Sequence, residues 1–271
     1  MIGMQETLAG LFAIDIVGNA TMDNHIHCLL RNRPDVVDRW SDTEVVIRWL
    51  QITKLKISGD ILPAIPKEVR IEEELAKGAE HLLRLRNRLS DISWFMAALS
   101  ENISRRINAE ENRTGTCWQG RFKSKVTCDE NTALLMLMYI ELNPIRARIA
   151  ELLEDSDQSS AGLRLRALIA KKNGQPFASN DYRAALWLSE LELDQSKSVD
   201  DPSFFQSTTG KRASDKGVLG FSQELYFQML DWAAREVRAD KRGSTPEHIQ
   251  PILERLGWTD DQVIELLRGR A

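Results

Sequence analysis

The chain has 271 residues, 42% of them hydrophobic and 28% charged, with a formal net charge of −4. That length can bury a real core in one large or two modest domains. The charge excludes a generic polycation, so any nucleic-acid contact has to come from a local basic patch. No apolar run approaches membrane-spanning length. The cysteines Cys28, Cys117 and Cys128 form no C-x-x-C pair and read as neither a disulfide framework nor a zinc site. Glu6 and Asp15, with no basic lead, argue against a signal peptide. The expectation is a cytoplasmic protein with no membrane partner.

In chain order, residues 1–11 read as a helix leading into an apolar strand at 12–18, Phe12-Ala13-Ile14-Asp15-Ile16-Val17-Gly18. A polar link, Asn19 to Asn24, joins it to a second strand from His25 to Leu30, so the pair forms an antiparallel hairpin. Side chains alternate along a strand, which puts His25 and His27 on one face and Ile26 and Cys28 on the other. Two imidazoles side by side on a stiff element suit a divalent metal; the other reading is a pair of ordinary half-buried histidines. Ser41 or Asp42 caps a helix running to Lys54, residues 55–67 are loop, and Glu68 to Glu110 is helical with a break near Asn87 to Asp91 and Ser90 as a cap.

After a turn at Asn112 to Thr116, Cys117 to Val126 reads as a strand with Trp118, Phe122 and Val126 on one face and Gln119, Arg121, Lys123 and Lys125 on the other. Asp129 opens a helix that Pro144 should end near Leu142. It is apolar almost all round and is expected in the interior. Tyr139 and Asn143, four residues apart, share one of its faces. A phenol oxygen can attack phosphorus and an amide oxygen can complete a ligand set for Mg²⁺ or Mn²⁺; the alternative is a core tyrosine followed by a helix-ending asparagine. Residues 154–162 form a polar boundary, and 192–216 reads as linker or partly disordered. Ser222 caps a helix over 223–238, and Thr259 with Gln262 is a capping box for a last helix ending at Gly269.

Three blocks, Met22-Asp23-Asn24-His25-Ile26-His27, Trp118-Gln119-Gly120-Arg121-Phe122-Lys123-Ser124 and Tyr139-Ile140-Glu141-Leu142-Asn143-Pro144-Ile145-Arg146-Ala147, resemble in order those of the single-tyrosine HUH transposases, in particular the REP-associated tyrosine transposases. The resemblance covers residues 1–150. It implies an α+β fold, with a ferredoxin-like HUH domain of antiparallel sheet and packed helices over 1–150; beyond it the residue patterns themselves read as a linker, partly disordered, with a short helix over 151–220 and a mostly helical tail over 221–271. It implies a divalent metal, Mg²⁺ or Mn²⁺, on His25 and His27 with Asn143 at the third-ligand position, and Tyr139 as the nucleophile that forms a 5′-phosphotyrosine link to single-stranded DNA. Such proteins begin with a strand and a basic segment well ahead of the histidine motif. His25 lies close to residue 1 here, so the resemblance also implies a missing first strand and weakened cleavage.

The partner expected is DNA, a single-stranded hairpin, with the chain as monomer or homodimer. Arg105, Arg106, Arg113, Gln119, Arg121, Lys123, Lys125, Arg146 and Arg148 are the candidate DNA contacts, through phosphates rather than bases; for Arg105 and Arg106 a solvated helix face is the competing reading. Two other functional readings stay open: a non-catalytic DNA-binding remnant, and a metal-dependent phosphohydrolase that uses the histidine pair with water as nucleophile.

Overall fold

A computed structural model of the chain describes residues 1–56, 67–259 and 261. The architecture is α+β. In order run α1 (Ile2–Ala9), β1 (Ile14–Thr21), β2 (Ile26–Asn32), α2 (Pro34–Val37), α3 (Asp42–Lys56), α4 (Lys67–Ala76), α5 (Ala79–Leu89), α6 (Ile92–Glu110), α7 (Glu130–Arg146), α8 (Ser160–Lys172), α9 (Asn180–Arg183), α10 (Gln223–Arg235) and α11 (Ile252–Arg255). Among the described residues, β1 and β2 form the sheet, a two-stranded antiparallel hairpin. No helix among them is long and apolar enough to cross a membrane.

The chain divides into two compact units. The first comprises Met1–Ile16, Leu30–Val126 and Val199–Asp215. Its helices α3, α5 and α6 pack on one another, and Phe12 meets Phe95 edge-on with ring centroids 5.4 Å apart. Asp15 is fully buried on β1 and accepts from Arg31 at 2.7 Å and from Arg33 at 3.1 Å on the neighbouring strand end. Arg33 also donates to Ser214 Oγ and to the Phe204 carbonyl. The stretch expected to be linker at 192–216 therefore supplies part of this core: Phe204, Arg212, Ala213 and Ser214 are buried. Its polar composition hid the fact that a buried arginine, together with Phe204 and Ala213, holds it down.

Three further expectations in this unit are corrected. Cys117–Val126 is irregular, not a strand. It finds no partner strand among the described residues, and Trp118 Nε1 is instead tied to the Ser100 carbonyl on α6 at 3.0 Å. Trp118 and Phe122 are half-buried, whereas Val126 is 82% exposed, so the alternation has no apolar face to serve. Ser90 ends α5, and Asp91 is the residue that caps α6, accepting from Ser93 N at 2.6 Å. The charged region splits once more at Gly78, whose φ of 84° is left-handed and natural only to glycine. The loop expected at 55–67 lies largely outside the described residues.

The second unit comprises Val17–Leu29, Thr127–Ser198 and the chain from Lys216 on. Its core gathers Val17 of β1, Leu137, Leu142 and Ile145 of α7, Leu165 of α8 and Tyr226, Phe227 and Leu230 of α10. The edge of β1 away from β2 is partly taken by residues 158–160: Thr21 N donates to the Gln158 carbonyl, Ala20 bridges Ser159, and Asn19 N donates to Ser160 Oγ at 2.9 Å. Asp129, Ser159 and Ser222 cap α7, α8 and α10 through their side chains, two of these as the sequence predicts. Of the capping box at Thr259 and Gln262, Gln262 and the helix it would open lie outside the described residues.

Helix α7 departs from expectation twice. It continues through Pro144 to Arg146, and it buries one face only, leaving Leu135 63% exposed. A proline inside a helix deprives the carbonyl four residues back of its donor. That carbonyl belongs to Ile140, and Asn143 Nδ2 covers it at 3.4 Å while also donating to the Tyr139 carbonyl at 2.9 Å. The asparagine thus repairs the break the proline makes.

Gly162 marks a close approach in this unit: a Cβ there would overlap the Ser156 carbonyl oxygen. A backbone acceptor cannot swing aside as a side chain can. We expect Gly162→Ala to destabilise the unit by about 2–3 kcal/mol, read as a lowered urea midpoint with an unchanged slope; a midpoint equal to that of the unaltered chain would show that α8 shifts freely.

Candidate metal and nucleophile site

The candidate residues of the second unit come from two elements. His25 lies in the turn just ahead of β2, one residue outside the strand, and His27 is the second strand residue. Their rings stand edge to face with centroids 4.8 Å apart. The short polar turn holds His25: Met22 N donates to the His25 carbonyl at 2.9 Å, and His25 Nδ1 meets Asn24 Oδ1 at 2.6 Å. An amide oxygen can only accept, so Nδ1 is the donor, and in the neutral ring Nε2 is then the nitrogen with the lone pair. Fixing the tautomer through the other ring nitrogen is what a metal-ligating histidine needs.

From the other element, α7 brings Tyr139 against His27, ring centroids 5.8 Å apart and planes at 79°. Tyr139 is 49% exposed, so its hydroxyl is open to a substrate rather than sealed in a core. Asn143 follows one turn later and is half-buried. Both of these side-chain hydrogen bonds are made by Nδ2 to helix carbonyls and do not engage Oδ1.

These residues fit a divalent cation by donor chemistry. Two imidazole nitrogens and a neutral amide oxygen form a mixed nitrogen and oxygen set of the kind Mn²⁺ accepts, with further positions open to water and phosphate oxygen. His27 is held below the ordinary imidazole range, first by burial and then by its neighbour His25, so the neutral, ligating form is favoured. Among the described residues no three His, Cys, Asp or Glu side chains gather as a competing set.

The basic candidates separate. Arg105, Arg106 and Arg113 each pair with a nearby glutamate, Glu101, Glu110 and Glu111, at 2.5, 2.8 and 3.0 Å. Gln119, Arg121, Lys123 and Lys125 are exposed on the irregular 117–126 segment. All seven belong to the first unit. Arg146 and Arg148 belong to the second, with the histidines and Tyr139. Arg146 is not a free phosphate contact: its guanidinium donates to the Ala233 carbonyl at 2.6 Å and the Glu236 carbonyl at 2.5 Å, closing the end of α10. His81 is tied to Glu74 at 2.6 Å and His248 is exposed.

One group escaped the sequence reading. Glu141 is fully buried on α7, where Ser160 and Tyr226 hydroxyls donate to it at 2.5 Å each and Arg164 lies 3.2 Å away. Arg164 also donates to the carbonyls of Val17 on β1 and Ser189. Burial pushes the Glu141 carboxyl up from its ordinary range, with the guanidinium and both hydroxyls pulling against it. The network ties the helix of Tyr139 to the strand before the histidines. A charged residue in an otherwise apolar helix was the only signal for it.

Comparisons with protein-family models, with curated proteins and with solved structures find no match.

We expect His25→Ala and His27→Ala each to weaken Mn²⁺ binding at least tenfold in calorimetric titration. Asn143→Ala should do less, because water can replace a neutral amide oxygen. Unchanged binding in the double histidine variant would remove the metal site.

Proposed function

We propose that the chain is a DNA strand-cleaving and -joining protein of the HUH single-tyrosine type, with the hairpin and α7 as the working parts of its ferredoxin-like HUH domain. The observation that carries this reading is the edge contact of Tyr139 with His27, beside His25, on two elements far apart in sequence. Core packing alone has no need of a half-exposed phenol beside two imidazoles with Asn143 one turn further on.

A divalent cation on His25, His27 and Asn143 would polarise the scissile phosphate. Tyr139 Oη gives its proton to water as it forms the bond to phosphorus, the bond from phosphorus to the 3′ oxygen breaks, and that oxygen takes a proton from water to leave as a 3′-hydroxyl. The strand remains linked through a 5′-phosphotyrosine until another 3′-hydroxyl reverses the step, so the phosphodiester energy is retained. Half exposure of the ring suits attack on a strand laid across α7. The Asn24 amide keeps His25 in one tautomer throughout. Single-stranded DNA, as a hairpin, is the substrate class this reading implies, and the exposed cations of the 117–126 segment suit the same phosphate chemistry.

Labelled single-stranded hairpins incubated with the full chain and Mn²⁺, followed by a denaturing gel, test the proposal. A label that migrates with the protein supports it. Shortened oligonucleotide with no protein adduct would instead make water the nucleophile and the site a phosphohydrolase. Binding without any cutting would leave a DNA-binding remnant.

A further inference from the structure

The end of α7 forms a second basic feature, a cleft of about 490 Å³ whose lining includes Arg148, Arg238, Lys241, Arg242, Ser244 and Glu151. It is built by close backbone approach. Arg242 N donates to the Arg146 carbonyl at 3.2 Å, the Arg146 guanidinium holds the end of α10, and at Gly243 a Cβ would overlap the Ile145 carbonyl. Four cations line the cleft against one carboxylate, Glu151, with Arg238 also paired to Asp240 at 3.0 Å. The local field is felt by Arg146, which burial and then Arg238 hold below its ordinary range.

A second observation is independent of charge. Arg148 has a φ of 59°, the left-handed position that follows a helix end, with Ile149 N donating back to the Pro144 carbonyl at 2.9 Å. Glycine takes that conformation without steric cost and an arginine does not. An exposed side chain kept there against its backbone preference points to a role outside the fold.

We propose that this cleft binds the phosphodiester backbone of single-stranded DNA, continuing the path of the strand that Tyr139 attacks; the direction of that path rests on the proposed function above. Tyr139, Asn143 and Arg146 fall on one stripe of α7 at i, i+4 and i+7. The stripe runs about 10 Å from the phenol to the helix end, a reach of a few nucleotides. Guanidinium and ammonium groups contact phosphates and not base edges here, so binding is insensitive to sequence and strongly salt-dependent.

The test is fluorescence anisotropy with a fluorescein-labelled single-stranded oligonucleotide of mixed sequence, in EDTA so that no cutting occurs, across a range of KCl. The combined variant Arg148→Gln, Arg238→Gln, Lys241→Gln, Arg242→Gln changes side chains that are exposed or half-exposed. It should bind at least tenfold more weakly. Its salt slope should fall by about 0.7 for each phosphate that the variant no longer neutralises. Arg148→Gly separates binding from folding, since relief of the backbone should raise the melting temperature while affinity falls several-fold. Equal affinity and slope in the combined variant overturns the proposal, as does an unaltered chain that binds no single-stranded DNA, or that holds RNA there and not DNA. Adduct formation with an indifferent cleft would sink this inference and leave the proposed function standing. A DNA-binding cleft with no adduct would do the reverse.

Discussion

On the proposed function, Tyr139→Phe is expected to abolish the protein–DNA adduct, by at least about a thousandfold, because it removes the oxygen that would attack phosphorus. The ring stays, and with it the edge contact with His27 at 5.8 Å. Tyr139 is half-exposed, so loss of its hydroxyl leaves no buried partner stranded, and stability should change by less than about 0.5 kcal/mol. Affinity for single-stranded DNA should be unchanged within about twofold, since the proposed binding is through phosphate contacts made elsewhere. The measurement is the labelled-hairpin gel run beside anisotropy and thermal melting. An adduct that survives in the variant would mean that another residue attacks, and the contact between Tyr139 and His27 would then be packing.

The largest expected effect on stability is at Glu141. Glu141→Ala removes the carboxylate that buried Arg164 meets at 3.2 Å in the same unit, and with it the acceptor of the Tyr226 hydroxyl. Breaking a buried pair from one side costs about 3–5 kcal/mol. Glu141→Gln keeps an acceptor oxygen for one donor and should lose less. The sign of the pH effect follows from the raised carboxyl. The folded state binds this proton more tightly than the unfolded chain, so the associated stability is fully present below the ordinary value near 4.5 and is lost as pH rises through the folded value. Glu141→Gln cannot titrate and should flatten that part of the profile. Urea unfolding followed by circular dichroism at several pH values reads both effects. If Glu141→Ala costs under about 1 kcal/mol, the pair is not holding β1 to α7.

The candidate site was legible where short-range chemistry decides the outcome. The spacing of His25 and His27 and of Tyr139 and Asn143 is a local matter of strand and helix geometry, and a single side chain such as Asp129 or Ser222 announces a helix start. The hairpin was legible for the same reason, as two apolar runs joined by a short polar link. Cys117–Val126 was misread because alternation is necessary for a strand and not sufficient: a strand also requires an edge to pair with, and its nearest anchor is a carbonyl on α6. Helix α7 was ended too early because the rule for proline carries no information about the Asn143 amide that covers the orphaned carbonyl.

What the sequence by itself determined was the set of reactive groups and their local geometry: two imidazoles beside one turn, a phenol and an amide on one helical face, and a net charge that confines any nucleic-acid contact to patches. Tertiary structure alone decided which of these groups meet. It set His27 against Tyr139, spent Arg146 on the end of α10, and left Arg148 exposed in a cleft with a segment some ninety residues further on. It also turned Glu141 inward to Arg164 and drew the polar stretch at 199–215 into the first unit. The physical reason is range. Dihedral preference and side-chain spacing act within a turn or two of the chain, whereas burial, charge pairing and the satisfaction of buried carbonyls are settled among residues that sequence distance does not relate.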